Sequence, residues 1–549
     1  MLLVVAWDGA SFDVIDPLLA AGRMPVLAGV LARGHVRALE STLPPVTFPA
    51  WTSFATAASP GRHGVTDFTM RAGYRVRFLN ASHRRLPSVW SLLSAAGRRV
   101  GVYALPATYP AEPVEGVLVC GFDTPLGPAR IGARTFPPSL ACELEARYGS
   151  LAVGGPSQTR IETGWHRRAI EQLMGHIRLR TRIVCELLTG DSYDFFLVHF
   201  SEPDTVSHQF WHLCDPASPR FSSDGPSDAI ARVYEALDVS LGRLLAAAPE
   251  GADLMLVSDH GSGGTSDRAI AWNRWLSDLG YLAFRSSSAA PVARAARGLA
   301  LAALPKRVQA PLFAVLSSAA GRIESTVRFA GIDWTRTTAF SEELGYQPAI
   351  WLNVRGREPE GTVEPEEIGA FVERLTEDLQ AFRDPFDGGP VVERVLRRED
   401  VFDGPAAAQA PDLLLELRNP DGYSYAALPS RGGAERAPLR RLGAREMTGA
   451  RGTSMGGAHR RHGMCAIAGA RVQPGRGATG TLADAGATAL ALAGLRVADG
   501  ADGRPWAEIV AERALDRAPR TGPPQPPLGY GRDEERAVAE RLRALGYLG

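Results

Sequence analysis

Lysine is all but missing: Lys306 is the only one in 549 residues, and arginine carries almost all the fixed positive charge. Such a bias reads as GC-rich coding before it reads as arginine chemistry. Net charge is missing too, with 60 basic residues against 60 acidic ones. The summed field therefore gives no attraction for a polyanion, and no nucleic-acid polymer is expected as a partner. Cysteine is scarce. The five, Cys120, Cys142, Cys185, Cys214 and Cys465, are odd in number, widely spaced and without a C-x-x-C pair, as expected of reduced, mostly buried thiols. No apolar run approaches the length of a membrane span. The opening "MLLVVAWDGA" has no basic leader and runs straight into an apolar strand that ends in an acid. Together these features predict a cytoplasmic protein with no transmembrane segment.

What is present is alternation. Short β-branched or aromatic apolar runs recur at 2–7, 98–105, 193–200, 252–258 and 463–469. Helical patterns lie between them, at 12–33, 49–58, 88–96, 160–189, 226–248 and 481–494. Strands buried on both faces and separated by helices predict an α/β protein with a mostly parallel sheet. An alanine-rich stretch from residue 285, broken by Pro305, predicts two helices inserted into that order. A lid over the substrate side is one reading of it and a membrane-touching amphipathic hairpin another. A mixed α/β region follows to about 450, then the last core strand, a proline-rich linker and an amphipathic terminal helix. The expected layout is a core in two parts (1–284 and 451–512), a helical insertion and cap (285–450), and a linker with helix (513–549). The terminal helix could dock on a neighbouring subunit or back onto its own core.

Chemistry concentrates beside the strands. Asp8 ends the first, Asp204 and His208 follow the third, Asp259 and His260 end the fourth, and His459 precedes the fifth. Ligands of open α/β sheets bind outside the carboxyl ends of the strands, so these residues are expected to converge. Singly, each reads as a turn or cap residue. Jointly, three aspartates and three histidines supply mixed oxygen and nitrogen donors that suit zinc or manganese, in a number that exceeds one tetrahedral ion's need. Two metals sharing one site follow. Thr47, in "PPVTFPAWTS", stands between prolines just before a helical pattern. If it caps that helix, its hydroxyl and the first-turn N–H groups face one anion-binding spot.

The segments "WDGASFD", "LPPVTFPAWTSFATAASPGRHGV", "SEPDTVSHQ", "VSDHGSGG" and "GAHRRHG" occur in this order across nearly the whole chain. The ordered set resembles the alkaline phosphatase superfamily, in its type I phosphodiesterase and nucleotide pyrophosphatase branch. That resemblance implies an α/β/α sandwich with an inserted cap, and hydrolysis of a small phosphate ester or diester through a phosphothreonine on Thr47. A phosphomonoesterase or mutase using the same site, and an inert metal-binding scaffold, are the alternatives. The resemblance further implies one ion held by Asp8, Asp259, His260 and the Thr47 hydroxyl, and another by Asp204, His208 and His459. Zinc is implied at both, with manganese the alternative. His459 is preferred to His462 because only it fits the G-x-H-R-x-x-G pattern. "TFPAW" lacks the cysteine or serine and the arginine of a sulfatase motif. Nucleotide pyrophosphatases usually place an asparagine shortly after the "HG"; here Asp67 and Phe68 stand in "HGVTDFTM". That departure opens the way to another phosphate-bearing substrate, with Phe48, Asp67 and Phe68 as candidate contacts. His199, inside a strand pattern, reads as a satisfied core histidine; Phe48, Trp51 and Trp211 could wall a substrate pocket, but aromatics in such places are more often core.

Overall fold

The computed structural model describes residues 1–125, 133–149, 164–285, 329, 331–343, 348–447, 455–497, 499–510, 515–519 and 528–545. Most of the alanine-rich insertion expected at 285–332, and the proline-rich linker, lie outside the described residues.

The five strands expected from the sequence all form and belong to one sheet. In chain order its main members are β1 (Leu2–Trp7), β2 (His35–Glu40), β3 (Val100–Tyr103), β4 (Gly116–Val119), β5 (Thr135–Phe136), β6 (Phe195–Phe200), β7 (Asp253–Val257) and β8 (His462–Ala468). Across the sheet they run β2-β8-β7-β1-β6-β3-β4-β5. β1 lies at the centre, parallel to β6 and β7. β8 is antiparallel to β7 and β2, so its first residue stands at the same end of the sheet as the last residues of β1, β6 and β7.

β1 shows why these runs carry no polar alternation. Leu2, Val4 and Ala6 enter one core, and Leu3, Val5 and Trp7 enter the other. Successive strand side chains face opposite ways, and both faces here are covered by helices. On the first face lie α3 (Thr47–Thr56), α4 (Val89–Ala95), α8 (Leu482–Leu492) and α9 (Arg532–Leu545). On the second lie α1 (Phe12–Ala20), α2 (Pro25–Arg33), α5 (Trp165–Gly190), α6 (Glu202–Cys214) and α7 (Ala229–Ala247). The result is a three-layer α/β/α sandwich.

Two local departures from the sequence pattern have plain causes. The single helix expected at 12–33 is α1 and α2. Gly22, at φ +70°, turns the chain, and Pro25 opens the second helix at a first-turn position that needs no N–H donor. The terminal helix docks on its own core: Val538, Ala539 and Leu542 are buried in the first-face cluster, and Tyr530 stacks on Tyr109 at 5.6 Å.

A second, four-stranded sheet, with Leu413–Leu417 between Ala349–Leu352 and Val392–Arg397, packs against the helix Ile368–Ala381 around its own apolar cluster. All five cysteines are unpaired. Among the described residues no helix is long and apolar enough to cross a membrane.

Candidate metal centre

The carboxyl ends of β1, β6 and β7 deliver Asp8, the first turn of α6 and Asp259 to one place. Asp8 N donates to Phe200 O at 3.0 Å, which continues the β1–β6 pairing past the last strand residue. α6 starts immediately after β6, so Asp204 and His208, one turn apart, project from the same helix face. His459 arrives on a short strand, Gly457–Arg460, which pairs antiparallel with Gly261–Gly264 and sets His459 opposite Ser262.

Asp204, His208 and His459 have ligand atoms that all lie within 4.8 Å of one another, and so do Asp8, Asp204 and His260. Asp204 thus stands between the two groups rather than in one alone. Its Oδ1 is 3.1 Å from His208 Nε2 and 3.3 Å from His459 Nε2. Asp259 approaches through Oδ2, 3.3 Å from His260 Nε2, while Asp8 Oδ1 is 3.4 Å from the same nitrogen. The His260 and His459 rings stack at 3.7 Å, which joins the groups into one centre.

The imidazoles share one arrangement. Nδ1 of His208 faces Gly457 O at 2.9 Å, Nδ1 of His459 faces Pro45 O at 2.6 Å, and Nδ1 of His260 faces Gly261 O at 3.0 Å. A carbonyl only accepts, so each Nδ1 carries a hydrogen and each Nε2 is the ring atom turned inward. His208 Nε2 and His459 Nε2 then stand 2.9 Å apart beside the Asp204 carboxylate. Asp8 Oδ1, Asp259 Oδ2, His260 Nε2 and Thr47 Oγ1 are buried with no hydrogen-bond partner. Inward ring nitrogens, buried carboxylates and orphaned acceptors suit divalent cations.

Electrostatics agree with that fit. Burial, then the Asp204 charge, pushes the Asp8 carboxyl well above the usual range, and burial with Asp8 does the same to Asp259. Burial also opposes charge on Asp204, but His208 and His459 outweigh it and hold that carboxyl well below its usual value. Burial, with His459 beside it, drives His260 well below the ordinary imidazole range. Burial and mutual repulsion oppose charge on Asp8 and Asp259, and bound cations would favour it.

Thr47 is fully buried at the start of α3. The expectation that it caps the helix is corrected by one position: Val46 is the cap, in extended conformation at φ −118° and ψ 137°, and Thr47 is the first helical residue. Pro49 then falls in the first turn, where its missing N–H costs no hydrogen bond, and the helix starts earlier than the prolines suggest. The hydroxyl is released from capping. Thr47 is bracketed by contacts to the centre: Pro45 O two residues before it meets His459, and Trp51 Nε1 one turn after it donates to Asp8 Oδ2 at 3.2 Å.

Of the candidate substrate contacts, Phe48 and Phe68 are buried against each other with ring centroids 4.4 Å apart, and Phe122 closes the same cluster. Asp67 lines a cleft with Pro44, Arg71, Glu343 and Trp351, where the chain near α3 meets the second sheet. His63 holds the turn after α3, through Ser53 Oγ at 2.9 Å and the Val65 amide at 3.1 Å. Sequence reading missed what His199 and Trp51 do. Both are core residues, but both bind Asp8, and only the apposition of β1 with β6 and α3 brings them there.

A sequence model described as type I phosphodiesterase / nucleotide pyrophosphatase matches residues 2–428. No curated protein matches the chain in sequence. Among solved structures, phosphonoacetate hydrolase from Sinorhizobium meliloti 1021 in complex with phosphonoacetate superposes with a TM-score of 0.53 at 17% identity, over 89% of this chain and 95% of that one. Murine ectonucleotide pyrophosphatase/phosphodiesterase 5 in complex with AMP gives 0.48 at 12% identity, over 90% and 96%. The first of these likenesses shows a shared fold.

Proposed function

The chain belongs to the type I phosphodiesterase/nucleotide pyrophosphatase family, a family of phosphoric ester hydrolases, and from that premise we propose a metal-dependent, phosphodiesterase-type hydrolase of small phosphate esters that works through a phosphothreonine on Thr47. The observation that carries this reading is the convergence of inward Nε2 atoms and buried carboxylates at the start of α3, which Pro45 and Trp51 tie to His459 and Asp8 and whose Thr47 hydroxyl is buried with no hydrogen-bond partner. Asp204, His208 and His459 would hold one cation; Asp8, Asp259, His260 and the Thr47 hydroxyl would hold the other, with zinc at both and manganese the alternative. When bound, the cations supply Lewis-acid charge that favours an ionised hydroxyl and offsets the charge developing on the leaving oxygen.

The remaining work falls to the chain. Thr47 Oγ bonds to phosphorus while the ester oxygen leaves with its electron pair; water then cleaves the phosphothreonine and restores the hydroxyl. Phosphate oxygens lie against the N-terminus of α3, where the N–H groups of Thr47 and Phe48 precede the first intrahelical bond, Ala50 N to Val46 O at 3.0 Å. Burial of the centre excludes bulk water from the first step. The second sheet, which meets the α3 side at the Asp67 cleft, selects the organic part of the substrate. Asp67 and Phe68 follow the "HG" in place of the asparagine that the family resemblance implies, which favours a substrate other than a nucleotide. The unpaired thiols suit a cytoplasmic setting.

Rates on an aryl phosphate diester and the matching monoester, compared on protein reconstituted with Zn²⁺ or Mn²⁺, test the assignment. Faster diester turnover is expected; strong preference for the monoester would replace it with a phosphatase or mutase. No turnover with two equivalents of metal bound would indicate an inert scaffold.

A further inference from the structure

We propose that His199 and Trp51 are positioning residues that reserve one oxygen of Asp8 and, through it, fix the nucleophile helix against the metal centre; this rests on the reading of Asp8 and Thr47 given above. His199 Nε2 is 2.9 Å from Asp8 Oδ2, and Trp51 Nε1 donates to the same oxygen at 3.2 Å. An indole nitrogen only donates; with Nε2 carrying its ring hydrogen, His199 donates to the same oxygen, and Oδ1, which has no hydrogen-bond partner, is left facing His260 Nε2 as the oxygen for a cation. The two rings meet edge to face at 5.3 Å and 89°, so each limits the other's rotation. Both are essentially inaccessible to water.

The placement follows from the fold. His199 pairs in register with Ala6, two residues before Asp8 on the neighbouring parallel strand. Trp51 lies one helical turn after Thr47, on the same face of α3. A rotation of α3 that turned Thr47 away from the centre would also break the Trp51–Asp8 bond. One carboxylate therefore serves two ends: Oδ1 belongs to the cation, and Oδ2 ties a sheet residue and the nucleophile helix to it. Hydrogen-bonded partners of metal-binding side chains typically change affinity or activity by about 10- to 100-fold when removed.

The test uses the full chain stripped of metal, with Zn²⁺ affinity read by competition with a chromogenic chelator and turnover read separately. His199→Ala is expected to weaken one of the two Zn²⁺ equivalents by about 10- to 100-fold. His199→Gln, whose amide reaches the place of Nε2, is expected to restore affinity to within about threefold, which a purely space-filling role would not produce. Trp51→Phe keeps the ring and removes the donor. It is expected to lower kcat by about tenfold at saturating Zn²⁺ with KM unchanged, because Thr47 loses alignment more than the substrate loses binding. If His199→Ala does not fold, His199→Gln and Trp51→Phe still decide. Wild-type Zn²⁺ affinity in folded His199→Ala, or equal weakness in His199→Ala and His199→Gln, would overturn the positioning role. So would wild-type kcat in Trp51→Phe. If Zn²⁺ affinity shifts as stated while Thr47→Ala keeps full turnover, the nucleophile assignment fails and the hold of His199 on Asp8 stands.

Discussion

Arg180→Met is expected to destabilise the protein by about 3–5 kcal/mol, because it strands a buried carboxylate next to the metal centre. Arg180, on α5, donates to Glu202 Oε2 at 2.6 Å, and the two side chains are only 6% and 2% exposed. At that separation, with an effective dielectric of about 20, the attraction is about 6 kcal/mol. Removing two ions from water costs several kcal/mol for each, so the intact pair is close to neutral in its net effect. Losing Arg180 alone removes the attraction and leaves the cost for Glu202. Glu202 opens α6, two residues before Asp204, so its movement toward water would also displace the turn that carries Asp204 and His208. Urea denaturation followed by tryptophan fluorescence measures the loss, and Zn²⁺ retention measures its reach into the site. The double variant Arg180→Met/Glu202→Leu, with both charges removed, is expected to recover to within about 2 kcal/mol of wild type. An Arg180→Met protein within about 1 kcal/mol of wild type, or a double variant as unstable as the single one, would refute the reasoning.

Gly9 sits at φ +68°, and a Cβ there would lie 2.9 Å from Ser262 Oγ and 3.1 Å from Asp204 Cβ; Gly9→Ala is expected to cost about 2–4 kcal/mol and weaken Zn²⁺ binding, both readable by denaturation and chelator competition. Leu542→Ala on the terminal helix is expected to cost about 2–5 kcal/mol, where a helix merely resting on the surface would cost nearly nothing. Burial, with Arg84 nearby, lowers the pKa of His63 to about 3 from an ordinary 6.5. The unfolded chain therefore binds a proton that the folded chain refuses, so this histidine's contribution is full above about pH 6.5 and is lost as pH falls toward 3, at about 1.4 kcal/mol per pH unit. His63→Gln should flatten the acid limb of the stability profile by one proton, and an unchanged slope would contradict the burial reading.

Much of the centre was legible before the structure because its donors sit next to strands, and strand ends gather at one edge of a parallel sheet. Asp8, Asp204 and Asp259 needed only that rule. Less legible was the division of labour. Asp204 faces both groups because α6 points it between His260 and His459, which no spacing along the chain encodes. His199 reads as a core residue because it lies inside a strand pattern, and Trp51 because an aromatic in such a place is more often core; their polar atoms find Asp8 across 191 and 43 residues of sequence. Thr47 was misplaced by one helical position because prolines mark where a helix can begin, not where it does: Val46 in extended conformation sets the boundary. The docking of α9 depends on a surface on the first face of the sandwich that is built by elements far apart in sequence.

The phosphothreonine tests the central claim most directly. Metal-loaded protein is mixed with an aryl phosphate ester, quenched in acid during turnover and digested, and the peptide containing Thr47 is weighed by mass spectrometry. One added phosphoryl group is expected on Thr47, absent without substrate, and a Thr47→Ala protein is expected to bind two equivalents of Zn²⁺ but turn over slower by on the order of 10³-fold or more. A Thr47→Ala protein with both metals bound and wild-type turnover, or phosphate found only on another residue, would contradict it.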